Sequence, residues 1–437
     1  MQRLIEKDLL EWKNKEDRKP LILYGARQVG KSYTLLEFGK KNYANVAYCH
    51  FENNKELQAI FDKGINEVKP IFTEISQLIK QPILPKSTLV IFDEIQACPA
   101  AVTALKRIYE DTPEYHVVAA GSLLGLMLYR DARYSYPVGK VDILRMYPMN
   151  FCEFLMATAI SDPTADINAI QKCYDNNLPM SSTTHNYLLE KYATYLAVGG
   201  MPECVKEYIG RKDMVFVKAR QLGICDTYTN DMVKYCSKTE AIKNTATYNC
   251  IPAQLAKENK KFQYALIKSG AKSKDFYDAL FWCEKANIII RVSKTNEGKM
   301  PLAGYEDLLS YKIYFSDVGL LSAKSNIDTD ALLIGTYGGE MKGAITENFV
   351  AQELVANGIR PFYWESKGTA ELDFVIQQGG KIVPIETKAN LSTKAKSLDT
   401  FCKKYKIDFS IRVSAKNFGF ENGIKSVPHY AIWCIKP

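Results

Sequence analysis

No two of the eleven cysteines are spaced C-x-x-C. Their odd count and scatter exclude a disulfide framework and a paired-cysteine zinc site. Cys49, Cys98, Cys152 and Cys434 sit among apolar residues, as reduced, buried thiols do. Glycine and proline are not enriched, and there is no low-complexity tract or fixed-period repeat. No apolar run reaches the length of a membrane span; the longest candidate, HVVAAGSLLGLML (His116–Leu128), reads as a buried strand and turn. The first twenty residues carry charges throughout and lack the apolar core of a signal peptide. These absences predict a cytoplasmic protein without membrane contact. At 437 residues the chain has room for two or three domains.

What is present begins with GARQVGKS, after the apolar run LILY and before the helix-like YTLLEFGKK. It fits G-x-x-x-x-G-K-[ST], the phosphate-binding loop of nucleotide triphosphatases. Gly25 and Gly30 let the backbone curl so that the N–H groups of Ala26, Arg27, Gln28 and Val29 face a phosphate. Lys31 reaches the β- and γ-phosphates, Ser32 offers its hydroxyl to Mg²⁺, and the helix beginning here adds partial positive charge. STLVIFDEIQ (Ser87–Gln96) is a continuous apolar run ending in two acids, as a doubly covered parallel strand does. Ligands bind at the carboxyl ends of such strands, which brings Asp93 to the loop as a Mg²⁺ holder and Glu94 beside it to polarise water. Aspartate followed by glutamate points to ATP hydrolysis, so the nucleotide is read as ATP. The next strand, YHVVAAGS, ends at Ser122, the candidate γ-phosphate sensor. Arg130, Arg133, Lys140 and Arg145 follow as candidate arginine-finger-type cations, acting within the subunit or across a homo-oligomer.

The pattern predicts an amphipathic helix before Pro20, a second strand in Ala44–Asn53, and helices from Met149 to Gly200. Residues 205–300 hold 18 Lys/Arg against 10 Asp/Glu, an excess equal to that of the whole chain. Such a stretch either meets nucleic-acid phosphates or stands as a solvated lysine-rich surface. Short helices followed by a strand pair give this middle region a winged-helix-like reading.

Near the C-terminus, ITENFVAQELVANG reads as a helix with Glu347 in its first turn. ELDFVIQQGGKIVPIETKA reads as a β-hairpin turning at QQGG. Asp373 lies on its first strand; Glu386 and Lys388, two apart, point to one face of its second. Acid, then acid-x-lysine across paired strands suits Mg²⁺-dependent phosphodiester cleavage. Asp373 and Glu386 hold the metal, Lys388 orients or deprotonates water, and Glu347 adds a ligand.

With both ends read, the chain resembles a bacterial and archaeal ATPase family. Its members join an N-terminal AAA-type P-loop domain to a C-terminal domain of the PD-(D/E)xK nuclease type. The resemblance runs through LILYGARQVGKS, LVIFDEIQ, VVAAGSLLG, YPVGKVDILRMYPMNFCEFL, VGGMPE, KIYFSDVGLL, ENFVAQEL and ELDFVIQQGGKIVPIETKA, in that order. It implies ATP and Mg²⁺ at Lys31, Ser32, Asp93 and Glu94, and a nuclease-like site at Glu347, Asp373, Glu386 and Lys388. It also makes Arg145 the preferred finger. Thr387 stands where the family often has valine, an exchange that suits a strand. The fold expected is α/β: a P-loop parallel sheet with helices on both faces (residues 1–200 with a helical extension), a helical, winged-helix-like middle (201–325), and an α/β restriction-endonuclease-like domain (326–437). The expected function is ATP hydrolysis directed at nucleic acid, DNA before RNA. A nucleotide switch with a non-cleaving nuclease-like platform is the alternative.

Overall fold

The computed structural model describes the chain except residues 63–67, 123–136, 138, 160–161, 258–259, 337, 367–369 and 390–395. It divides into two compact units, Gln2–Tyr147 and Pro148–Pro437. Among the described residues no helix is long and apolar enough to cross a membrane. All eleven cysteines are free, and none is exposed.

The first unit is built on a five-stranded sheet in the order β2-β3-β4-β1-β5, with every neighbouring pair parallel. Its strands are β1 (Leu21–Tyr24), β2 (Asn45–His50), β3 (Thr88–Asp93), β4 (His116–Gly121) and β5 (Asp142–Arg145). Every residue of β3 and β4 is buried, the unbroken apolar run expected of strands covered on both faces. Helices α1 (Ile5–Asn14), α2 (Lys31–Asn42), α3 (Lys55–Asp62), α4 (Val68–Ile79) and α5 (Pro99–Asp111) flank the sheet. Phe51, Phe61 and Phe92 meet edge to face at 5.5–5.7 Å in the core under α3–α5. The N-terminal helix is shorter than the first twenty residues suggested. Its buried stripe is Ile5, Leu9 and Trp12, while Leu4 and Leu10 stay 43% exposed.

The second unit opens with α6 (Phe151–Thr158), α7 (Pro163–Asn176), α8 (Ser182–Val198), α9 (Pro202–Arg211), α10 (Met214–Tyr235), α11 (Lys238–Leu255) and α12 (Ser273–Lys285). Strands β6 (Ile289–Thr295) and β7 (Glu306–Phe315) follow, then α13 (Val318–Lys324), α14 (Thr329–Ile334) and α15 (Glu340–Ala356). The unit closes with β8 (Phe362–Glu365), β9 (Glu371–Gln378), β10 (Lys381–Thr387), α16 (Lys396–Tyr405), β11 (Ser410–Ser414), β12 (Gly419–Glu421) and β13 (Ile424–Pro428). The β9–β10 hairpin turns at Gly379 and Gly380, both with positive φ, as a tight two-residue turn requires.

Two features of this unit bear on the expected organisation. The strand pair read as a wing, β6–β7, is the end of one eight-stranded mixed sheet, β12-β13-β11-β10-β9-β8-β6-β7. Strand β6 runs parallel to β8, so backbone hydrogen bonding crosses the boundary expected at 325/326. The boundary expected at 200/201 also falls inside the second unit, because a buried polar hub surrounds it. In that hub Gly200 N–H donates to Asp317 Oδ2 (2.6 Å), and Leu320 N–H donates to Oδ1 (3.0 Å). Gly200 O accepts from Met149 N–H (2.7 Å), and Tyr195 Oη donates to Met149 O (2.6 Å). Helix α15, buried from Ala344 to Leu354, supplies the rest. Gln352 joins Tyr195 Oη to Val318 N–H, Asn348 pairs with both backbone groups of Phe315, and Glu353 accepts from Phe151 N–H (2.9 Å). The motifs VGGMPE, FSDVGLL, MNFCEFL and NFVAQEL thus act together, as mutual hydrogen-bond partners in the interior.

The hub makes stability depend on pH. Burial lifts Glu353 to about 8 and Asp317 to about 6. Both folded values exceed the unfolded ones, so the native state holds these protons longer. That stability is complete below the unfolded values and is lost as pH rises through about 6 and then about 8. Thermal melts from pH 5 to 9 should show the second unit weakening toward alkali. Glu353→Gln, neutral at every pH and still able to accept from Phe151 N–H, should flatten the upper part of that slope. An unchanged slope in this variant would show that Glu353 ionises freely.

Candidate functional site

The phosphate loop joins the end of β1 to the start of α2. Gly30 has φ +94° and Gln28 φ +66°, so a glutamine takes one of the left-handed positions. Gly25 is required for a different reason. A Cβ there would lie 2.0 Å from the Met146 carbonyl oxygen, while Met146 N–H donates to Tyr24 O just before the loop (2.8 Å). Helix α2 starts at Gly30 with no side-chain cap, which leaves its first N–H groups turned to the loop. Arg3 braces the loop from behind, donating to Val29 O and to Tyr147 O, each at 2.7 Å.

Lys31 is buried, and its ammonium donates to Gly25 O (3.0 Å) and Ala26 O (2.8 Å). Burial brings it down to about 8, against the pull of Glu94 and Asp93. The parallel register carries the other predicted residues to the same edge. Tyr24 lies level with Gly121 and with Arg145, and Asp93 ends β3. Asp93 accepts from Glu94 N–H (Oδ1, 3.0 Å) and from Tyr48 Oη (Oδ2, 2.6 Å), and Tyr48 also interacts with the Ser32 hydroxyl. Tyr48 was missed in the sequence; it faces Asp93 from the neighbouring strand β2. Glu94 has φ +49° at the strand end, and Gln96 Nε2 holds its carboxylate. Ser122 is buried just past β4.

Arg145 is exposed and lies over the Tyr24 ring (4.8 Å), with Tyr147 on its other contact (5.7 Å). Lys140 pairs with Glu110 (3.1 Å). Arg130 and Arg133 fall outside the described residues. A buried ammonium held by loop carbonyls, an uncapped helix start and an adjacent aspartate fit a nucleotide triphosphate with its magnesium, through Lys31, the loop N–H groups, Ser32 and Asp93.

The second constellation lies wholly in the second unit. Glu347 of α15 is buried against β7, where Tyr314 Oη donates to its Oε2 (3.2 Å) and Lys312 stands 3.7 Å away. Lys260, from the segment between α11 and α12, donates to Glu347 Oε1. These cations hold Glu347 below the ordinary carboxylate range despite its burial. Lys312 also pairs with Glu371 at the start of β9. Asp373 Oδ2 accepts from Thr387 N–H across the hairpin (2.7 Å). Withdrawal from water, then repulsion from Glu347 and Glu386, raises Asp373 well above its ordinary value. Glu386 is 4% exposed; Lys388 pairs with its Oε1, and its Oε2 has no hydrogen-bond partner. Burial raises Glu386 as well.

Glu386 and Lys388 therefore do share a face and meet Asp373, as the two-residue spacing required. The expected three-carboxylate metal set is not assembled. Among the described residues no group of three or more His, Cys, Asp or Glu side chains is arranged to hold a metal ion. The reason is that two lysines and a tyrosine already occupy Glu347. Asp373 and Glu386, whose own Oε2 is buried without a hydrogen-bond partner, still fit a hard divalent cation. Lys260, Lys312, Tyr314 and Glu371 were missed in the sequence; the signal for two of them was the spacing K-x-Y in the buried run KIYF. Lys260 also shows that part of the basic middle stretch points inward.

Loop, strand order and acid pair define a P-loop ATPase domain. Residues 17–155 match the family model of the AAA domain, so the first unit carries an AAA-type ATPase domain. Residues 189–331 match a domain of unknown function (DUF8612), and residues 342–432 match another (DUF4143). No curated protein sequence matched the chain. Among solved structures it is similar to the Walker-type ATPase PABY2304 of Pyrococcus abyssi, at 16% identity over 74% of this chain and 95% of that one (TM-score 0.43). It is also similar to the Aeropyrum pernix ORC1 protein in complex with DNA, at 11% identity over 76% and 92% (TM-score 0.27). AMPPCP-bound DnaA from Aquifex aeolicus aligns at 16% identity over 65% and 89% (TM-score 0.28). These scores are too low to carry a functional inference.

Proposed function

We propose that the chain is a magnesium-dependent ATPase that acts on nucleic acid, DNA before RNA, through the carboxylate cluster of its second unit. The observation that carries the ATPase half is Lys31, a buried ammonium whose hydrogen bonds go to the carbonyls of its own phosphate loop. On ATP binding Lys31 turns from Gly25 O and Ala26 O to the phosphates. Ser32 and Asp93 would hold the magnesium, which would neutralise phosphate charge. Glu94, aimed by its left-handed backbone, takes the proton of the attacking water. Ser122 reports on the γ-phosphate, and Arg145, whose strand partner is Tyr24, is the arginine-finger candidate.

The cleavage half rests on Asp373, Glu386 and Lys388, a pair of carboxylates and an ammonium on one side of a hairpin. The second reading keeps the ATPase but makes this cluster a non-cleaving platform. The capture of Glu347 by Lys260 and Lys312 favours it.

ATP turnover with single-stranded, duplex and branched DNA, and cleavage of the same substrates in Mg²⁺ or Mn²⁺, separate the two. The first reading expects turnover stimulated by DNA, the stimulation falling steeply with salt, and cutting that disappears in Glu386→Ala. Turnover indifferent to every nucleic acid would sink it. Intact turnover without cutting, together with ATP-dependent retention of a partner, is the outcome of the second.

A further inference from the structure

We propose that Lys260 is an internal counter-cation of the carboxylate cluster, and that seating of Lys260 on Glu347 and binding of a divalent cation at Asp373 and Glu386 exclude one another. This rests on reading the cluster as a cation site. Charge is the first ground. Glu347, Glu371, Asp373 and Glu386 face three ammonium groups, those of Lys260, Lys312 and Lys388. A divalent cation added to all three would leave the cluster one charge positive; taken up in exchange for Lys260, it matches the four carboxylates. Unmatched charge of either sign is costly away from water. The second ground is Glu386 Oε2, buried and without a hydrogen-bond partner, an acceptor that the lysines do not satisfy.

Among the three lysines, Lys260 is the exchangeable one by position. Lys312 lies within β7 with its side chain 2% exposed; Lys388, although 31% exposed, is pinned by its N–H to Val413 O (2.8 Å) and pairs with Glu386, not Glu347. Lys260 belongs to no helix or strand, and its side chain is 13% exposed. The backbone that follows it is fastened: Lys261 bridges Lys312, Phe262 N–H donates to Tyr311 O (2.9 Å), and Gln254 bonds both backbone groups of Gln263. The side chain can therefore leave Glu347 while its anchor stays.

The test is Mn²⁺ titration of the full chain without nucleotide, by calorimetry, with thermal midpoints in chelator and in Mn²⁺. Wild type and Lys260→Met are compared, each with and without Asp373→Asn. A neighbouring charge changes the affinity of a carboxylate for a proton by about one to three orders of magnitude. Lys260→Met should accordingly bind Mn²⁺ at least about tenfold more tightly, and should gain more thermal stability from Mn²⁺ than wild type. Both differences should vanish with Asp373→Asn. Equal or weaker binding by Lys260→Met overturns the role of Lys260 and leaves the cation-site reading standing. Absence of any Asp373-dependent binding in either protein overturns both. Lys260→Gln, which keeps a donor to Glu347 and removes only the charge, carries the same expectation if the methionine variant does not fold.

Discussion

Lys31→Ala should abolish ATP binding and turnover. The substitution removes the buried ammonium held by the phosphate loop, and it strips Gly25 O and Ala26 O of a donor. Loss of one preorganised donor aimed at developing charge costs about 10²–10³ in rate, and here binding falls as well. Glu94→Gln makes the informative comparison. Its amide oxygen can still accept from Gln96 Nε2, so the strand end keeps its shape. It cannot take a proton, so turnover should drop by about 10²–10⁴ while nucleotide affinity stays near that of wild type. Fluorescent-nucleotide binding and phosphate release, measured on the two variants in parallel, check this. A Glu94→Gln protein that turns over normally would remove Glu94 from the chemistry and leave the loop as a binding device.

Gly200→Ala should prevent the second unit from folding. An added Cβ would lie 1.9 Å from the Met149 carbonyl oxygen and 2.9 Å from the Met149 nitrogen, atoms that cannot move without breaking the Gly200–Met149 and Gly200–Asp317 hydrogen bonds. Overpacking combined with a broken buried network is among the few routes to losses above about 4 kcal/mol. Gly319→Ala should behave alike, its Cβ falling 2.6 Å from the backbone of Gly199. Gly223 is the control. It lies inside α10 with nothing within 4 Å of an added Cβ, so alanine there should stabilise by about 0.5–1 kcal/mol through helix propensity. Soluble yield and urea melts of the three variants decide the matter. If Gly200→Ala melts like Gly223→Ala, the hub is looser than its hydrogen bonds imply.

The nucleotide site was legible in the sequence because its parts are local. A phosphate loop is eight consecutive residues, and its strand and helix are the segments on either side. Asp93 and Glu94 were found because a doubly buried strand must be apolar to its end, which makes two acids there conspicuous. Tyr48 was not found, since its tie to Asp93 depends on β2 lying beside β3, and a tyrosine in an alternating strand is ordinary. Glu386 and Lys388 were paired from their two-residue spacing, and Asp373 was set opposite them by the hairpin turn.

The motifs around Gly200 and Asp317 stood out as a pattern, but their chemistry was invisible. Asp317 and Gly200 are 117 residues apart and become partners only once the chain has folded. The continuation of the β6–β7 pair into a larger sheet was hidden for a related reason. A helix-and-strand-pair pattern looks the same whether the pair ends in solvent or continues, through β6 and β8, into a larger sheet.

By itself, then, the sequence determined everything that a short run of chain can encode through spacing: the phosphate loop, the apolar strand ending in acids, the hairpin and its same-face acid and lysine. Tertiary structure alone decided the charge state of the second site. Lys260 reaches Glu347 across 87 residues, and Tyr314 across 33. A lysine in a basic stretch carries no mark of being inside, because burial of a charge becomes tolerable only when folding brings its counter-charge within hydrogen-bond reach.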